Sequence, residues 1–174
     1  MKSNTDRILI GLVAVLAIGL AWVVSGTLDD GIVRIGDPAP DFKVVTDSGK
    51  TLTRANFGGK LLVLHFWATW CGGCVEEIPS LEVFQREYGP QGVVVLGVSV
   101  DANEKLYRRF MDQFKVSYAT SRDPSWDIAA SYGTFQLPES YIIDSSGKVV
   151  QKVISNTNWN GPEIKSFLDN LLRS

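Results

Sequence analysis

Apolar positions follow three regimes along the chain. From Ile8 to Val24 they run without a single charge (ILIGLVAVLAIGLAWVV), and from Lys60 to Trp67 and Gly92 to Val100 they form short, almost unbroken runs. Elsewhere they recur every two to four residues. The first run, 17 residues long, sits at the short end of a membrane-spanning helix. The two short runs are rich in β-branched and aromatic residues and read as strands buried on both faces. Between them, Ile78, Leu81, Phe84 and Tyr88 are spaced by three, three and four. That spacing predicts a one-sided helix over Glu76 to Tyr88, bent near Pro79. Leu106, Phe110, Met111 and Phe114 repeat the pattern over Asn103 to Phe114.

Turn chemistry punctuates the rest. Asp47-Ser48-Gly49-Lys50 separates two short strands, Phe42 to Thr46 and Thr51 to Thr53, and Ser145-Ser146-Gly147 joins Ser140–Asp144 to Lys148–Ile154. A short helix is expected within Asp123 to Tyr132, and Pro162 opens a last one ending near Leu172. Strand, helix, strand, helix, hairpin and helix predict an α/β domain whose central mixed sheet carries helices on both faces, with a small β-hairpin ahead of it. The organisation expected is a polar lead over 1–7, an apolar segment over 8–24, a tether over 25–35 and one domain over 36–174.

The charge balance changes little. A net charge of −2 with no basic run makes nucleic acid an unexpected partner. At the N-terminus it matters more, because Lys2 and Arg7 precede the apolar run while Asp29 and Asp30 follow it. The positive-inside bias then keeps the short lead in the cytoplasm and exports the domain. A cleaved signal peptide is the rival reading, but its apolar region is usually shorter and only Val24-Ser25-Gly26 offers a poor cleavage site. Both readings place the domain where dithiols meet oxidising conditions.

The chemistry lies where the Lys60–Trp67 run ends, at Cys71-Gly72-Gly73-Cys74. These are the only two cysteines, one helical turn apart at a strand-to-helix junction. Unpaired backbone N–H groups and the positive helix end favour thiolate at the first cysteine. A thiolate with a second sulfur in reach attacks a disulfide and is then displaced by its neighbour. A closed structural zinc site needs four ligands, and His65 is the single histidine, so no metal is expected.

Trp67-Ala68-Thr69-Trp70-Cys71-x-x-Cys74-x-x-Glu77-x-Pro79 resembles the active-site signature of the membrane-anchored thioredoxin-like proteins of bacteria, the TlpA, ResA and CcmG (DsbE) types of the AhpC/TSA–Redoxin superfamily. Gly36-Asp37-x-Ala39-Pro40-x-Phe42, Asp47-x-Gly49 and Leu137-Pro138-Glu139-Ser140-Tyr141-Ile142-Ile143-Asp144 fit the same group, from about residue 34 to the end. The resemblance implies a thioredoxin fold with one N-terminal transmembrane helix, single-pass in the cytoplasmic membrane, its catalytic domain on the periplasmic side. It implies no cofactor beyond the Cys71–Cys74 disulfide, with Cys71 as nucleophile and Cys74 as buried resolving thiol. Trp70 would shield Cys71, Pro138 would be cis against the dithiol, and Leu137 would offer backbone groups to substrate. Glu139 would either line the substrate groove or stand idle as a solvent-facing strand residue. Substrates would be protein disulfides, such as those of apocytochrome c or copper-site assembly factors, and electrons would come from a membrane protein of the CcdA or DsbD kind.

Several positions keep two readings. Glu77 is either a proton carrier for the dithiol, as in ResA-like proteins, or a helix-dipole partner; its neighbour Glu76 should be solvated. His65, where thioredoxin has aspartate, is either a general base for Cys74 or a core histidine satisfied by a backbone carbonyl. Trp67 either packs beneath the site or is plain core, and Trp159 is either packed or a surface contact. Gly73 replaces the proline that most relatives carry. Two other functions fit parts of the pattern. A cuprous metallochaperone would use Cys71, Cys74 and His65, but its relatives in this fold have wider cysteine spacing and a downstream histidine. A thiol peroxidase would need proline where Leu64 stands and Thr/Ser where Thr69 is out of register.

Overall fold

The computed structural model describes residues 4–27 and 31–173; Lys2, Asp29 and Asp30, on which the orientation reading leans, lie outside them. The chain divides into two compact units at Ile32/Val33. The first contains helix α1, Asn4–Thr27. It runs past both ends of the apolar stretch, and its segment Asp6–Val23 is long and apolar enough to cross a membrane, with its large apolar side chains exposed.

In the second unit, β1 (Lys43–Val45) and β2 (Thr51–Thr53) form an antiparallel hairpin. A five-stranded sheet follows: β3 (Leu61–Trp67), β4 (Val93–Ser99), β5 (Ala119–Arg122), β6 (Glu139–Asp144) and β7 (Val149–Ile154). Its order is β5-β4-β3-β6-β7, with β3, β4 and β5 parallel and β6 and β7 antiparallel to their neighbours. The helices are α2 (Gly72–Tyr88), α3 (Glu104–Phe114), α4 (Asp127–Ser131) and α5 (Pro162–Arg173). Strand β5 has no counterpart in the expected element order. Ala119-Thr120-Ser121-Arg122 is short and polar, and it forms because a parallel edge partner is free on β4. The structured domain also begins three residues earlier than expected, since Val33 is buried.

Central strand β3 is buried along its whole length, and its alternation divides the core. Leu61 and Val63 meet Leu81, Phe84 and Tyr88 of α2, Leu168 of α5 and Trp159. Leu62, Leu64 and Phe66 meet Phe42, Val44, Leu52, Tyr132 and Tyr141. Full burial of each such side chain is worth about 1.5–3 kcal/mol, so this strand is firmly anchored in the core. Its C-terminal end delivers the chain to Cys71.

Candidate active site

Three segments converge at that end. Strand β3 turns through Ala68-Thr69-Trp70, and Cys71 is the N-cap of α2, with extended φ −89° and ψ 106°. The Cys71 sulfur accepts the Cys74 N–H at 3.2 Å, so Cys71 itself supplies the cap that Ser or Asp would otherwise give. Helix α2 starts four residues before the apolar periodicity does, because this first turn is held by capping rather than by a buried stripe. Cys71 and Cys74 form a disulfide, with Cys71 9% exposed and Cys74 fully buried. An incoming reductant or substrate sulfur therefore meets Cys71.

The turn before Cys71 is pinned by a residue that sequence reasoning missed. Buried Asp101, just past β4, accepts hydrogen bonds from the Thr69 amide (2.9 Å), the Thr69 hydroxyl (2.7 Å) and the Ser99 hydroxyl (2.7 Å). An acid beside Ala102-Asn103 reads as a surface turn, so no local signal marks it. Trp70, held beside this clamp, is 65% exposed. Trp67 is core: it packs on Tyr107 and Phe110 at 6.0 and 5.4 Å.

The second segment is the start of β6. The Leu137–Pro138 peptide is cis, Pro138 is buried and Leu137 half-buried. A Cβ placed on Gly73 would stand 3.6 Å from Pro138 Cδ, which puts the proline against the Cys-Gly-Gly-Cys turn. Phe135, three residues earlier and also missed, is 79% exposed. Glu139 requires a correction: it is neither solvent-facing nor open to a groove. It is buried and pairs with Lys152 Nζ of β7 at 2.7 Å, a partner that the register of β6 on β7 supplies from across the sheet.

The third segment lies beneath the disulfide. Glu77, one turn after Cys74, is buried rather than placed as a helix-dipole partner. Its Oε2 accepts the Thr157 amide at 3.0 Å, while its Oε1 faces His65 Nε2 at 3.3 Å. Burial pushes the Glu77 carboxyl up to about 7, against the opposing pull of the Thr157 amide and the Trp159 indole. Burial alone drives His65 down to about 3, so its ring is neutral at physiological pH. Among the described residues no backbone carbonyl bonds the His65 ring; Nδ1 meets Ser140 Oγ at 2.9 Å. Glu76 is exposed and accepts from Asn156 Nδ2 at 2.7 Å. Trp159 is buried against Phe84 and is not a surface contact.

The AhpC/TSA family model matches residues 35–152. The chain belongs to the AhpC/TSA family. Among its relatives, the thiol-disulfide oxidoreductase ResA of Bacillus anthracis is 30% identical over 175 residues, covering 99% of this chain and 98% of the relative. The thioredoxin-like protein YneN of Bacillus subtilis is 33% identical over 150 residues, covering 83% and 87%. Among solved structures, a Chlorobium tepidum protein described as a thiol:disulfide interchange protein DsbE superposes with a TM-score of 0.74 at 27% identity, over 80% of this chain and 99% of that one. This AhpC/TSA member is thus a thioredoxin-fold thiol–disulfide oxidoreductase of the TlpA/ResA/CcmG type. Within the family its turn is not arranged for peroxide: Thr69 is spent on Asp101, and Leu64 is buried core. Both His65 nitrogens face partners other than sulfur, and no group of three metal-ligating side chains forms among the described residues.

Proposed function

We propose that this protein is a membrane-tethered reductase of protein disulfides, held by α1 with its thioredoxin-fold domain on the periplasmic side of a bacterial cytoplasmic membrane. The observation that carries the reading is the inequality of the two sulfurs: Cys71 reaches the surface at a helix N-terminus and Cys74 lies fully buried behind it. In the reduced protein the Cys71 thiolate attacks one sulfur of a substrate disulfide, forming a mixed disulfide and expelling the other sulfur as thiolate. Cys74 gives its proton to Glu77 and attacks Cys71 Sγ, breaking the mixed disulfide. The dithiol loses two electrons, the substrate gains them, and water protonates the released thiolates.

Trp70, Phe135 and the backbone of Leu137 form the face that an extended substrate segment meets. Glu139, buried and paired with Lys152, takes no part in it. Apocytochrome c cysteines or copper-site assembly factors are the substrate class, supported by the kinship with ResA and DsbE-type proteins. Reducing power then comes from a CcdA- or DsbD-type membrane donor, because the compartment itself is oxidising.

The test is the reduction potential of the Cys71–Cys74 couple, equilibrated against defined thiol–disulfide buffers. A value near that of thioredoxin, about −270 mV, supports a donor-fed reductase. One near that of DsbA, about −120 mV, reverses the direction and makes the protein an oxidase.

A further inference from the structure

The buried polar groups behind Cys74 do not end at Glu77. His65 of β3 and Ser140 of β6 are directly paired residues in an antiparallel register, so both project to the α2 side of the sheet. Ser140 Oγ lies 2.9 Å from His65 Nδ1, and His65 Nε2 lies 3.3 Å from Glu77 Oε1. All three residues are buried. They therefore form one chain from the strand that begins after cis-Pro138 to the helix that carries Cys74.

We infer that Ser140 is a positioning residue whose hydroxyl lets the neutral His65 ring change tautomer as Glu77 gains or loses its proton. This inference rests on Glu77 serving the dithiol as a proton carrier. A hydroxyl both donates and accepts, so Ser140 can serve Nδ1 in either tautomer, while Nε2 and Oε1, 3.3 Å apart without a hydrogen bond in this conformation, close on each other to complete either arrangement. With Glu77 ionised, Ser140 donates to Nδ1, and Nε2–H donates to the carboxylate. With Glu77 protonated, Oε1–H donates to Nε2, and Nδ1–H donates to Ser140. The second arrangement holds one more proton than the first: Nε2 passes its proton to Oε1, and Nδ1 carries the added one. The ring is neutral in both. A fixed donor or acceptor at position 140 would satisfy only one state and would pin Glu77 there.

The groups facing Glu77 are consistent with such a balance. They are His65 from β3, the Thr157 amide and Trp159 indole after β7, and the Tyr118 phenol ahead of β5, which burial keeps un-ionised, with Cys74 one turn earlier on its own helix. Among the described residues no lysine or arginine pairs with it to hold it permanently charged.

His65 is the only histidine, so a ring-¹⁵N-histidine sample of the full oxidised chain in detergent micelles reports one ring. The two neutral tautomers and the imidazolium have distinct nitrogen shifts. The Nε2–H tautomer is expected above about pH 8 and the Nδ1–H tautomer below about pH 6, one unit either side of the midpoint, which is the Glu77 value of about 7. Ser140→Ala leaves a buried Nδ1–H without an acceptor, a worse defect than an unpaired lone pair, so its midpoint falls by about one unit. Ser140→Thr, which keeps the hydroxyl, restores it. One tautomer across pH 5.5–8.5, or an imidazolium forming near neutrality, overturns the inference even if disulfide exchange is normal. A switching ring in a protein unable to exchange disulfides removes the proposed function and leaves the switch.

Discussion

Two acid–base pairs, each with a buried carboxylate, lie on opposite faces of the same sheet. On one face Glu139 and Lys152 meet at 2.7 Å, with the ammonium also 3.3 Å from the Val33 carbonyl and 5.0 Å from the centre of the Tyr141 ring. Burial draws the Lys152 pKa down, but the hydrogen bonds to Glu139 and Tyr141 outweigh it and leave the value raised. On the other face Glu77 and His65 stand 3.3 Å apart, and the cation is missing because the base is an imidazole that burial keeps neutral. One pair keeps its charges and fastens β6 to β7. The other holds its proton loosely, one helical turn after Cys74. The partner base decides which outcome a buried carboxylate has.

The widest separation between the faces is chemical. Cys71→Ser removes the proposed nucleophile, and disulfide exchange in an insulin-reduction assay should fall to the uncatalysed background. Lys152→Met should leave the exchange rate of the folded protein nearly unchanged. A comparable collapse in Lys152→Met would mean that the structural pair belongs to the reaction.

Stability reverses that ranking. Lys152→Met strands a buried carboxylate and should cost about 3 kcal/mol in urea unfolding, whereas Glu139→Leu combined with Lys152→Met should recover most of it. A double variant as unstable as the single would show that the pair is worth more than its apolar replacement.

The pH dependence sharpens the contrast further. Glu77 is raised to about 7 in the fold, from about 4.3 in the unfolded chain. The native state binds the extra proton between these values, so this term makes stability fall as pH rises through them. His65 is depressed to about 3, from about 6.5 unfolded. There the unfolded chain binds the extra proton, and stability falls as pH drops. Between roughly pH 4.5 and 6.5 the two slopes, each about 1.4 kcal/mol per unit, oppose and cancel. Glu77→Gln should expose the His65 slope, with stability climbing up to about pH 6.5. His65→Asn should expose the Glu77 slope, with stability declining up to about pH 7. Urea midpoints at four pH values decide the matter, and two parallel variants would dissolve the distinction between the pairs.

The smallest effect expected is at Gly73. A Cβ there meets Asn156 Cβ at 3.5 Å and Pro138 Cδ at 3.6 Å, ordinary contacts. Gly73→Ala should stabilise by about 0.5–1 kcal/mol, chiefly by restricting the unfolded chain. A loss on thermal melting would mean that the turn needs glycine's freedom.

How much of this was legible follows from how local each signal is. The unbroken runs disclosed β3 and β4, and the cysteine spacing at a strand end disclosed the site, because periodicity and capping act within a few residues. Resemblance supplied Pro138 and drew notice to Glu77 and His65. Strand β5 was missed because its polar residues owe their conformation to a neighbour on the sheet edge. Glu139 was read as exposed because its counter-charge, Lys152, lies a hairpin away. Asp101 and Thr157 were silent for the same reason: Thr69, which the first clamps, and Glu77, which the second bonds, are each more than thirty residues distant.

Asp101 carries one more consequence. By fixing Thr69 through two hydrogen bonds, it holds the stalk on which Trp70 is displayed. A large apolar side chain is thus offered to the solvent on ground that is already rigid, and little backbone freedom remains to be lost when a client settles against it. The entropy of docking then falls mainly on the client. If substrates dock on Trp70, as we propose, stiff, preassembled clients and loose polypeptides would meet that cost in different measure, and the rigidity of this one turn would contribute to which disulfides the protein engages.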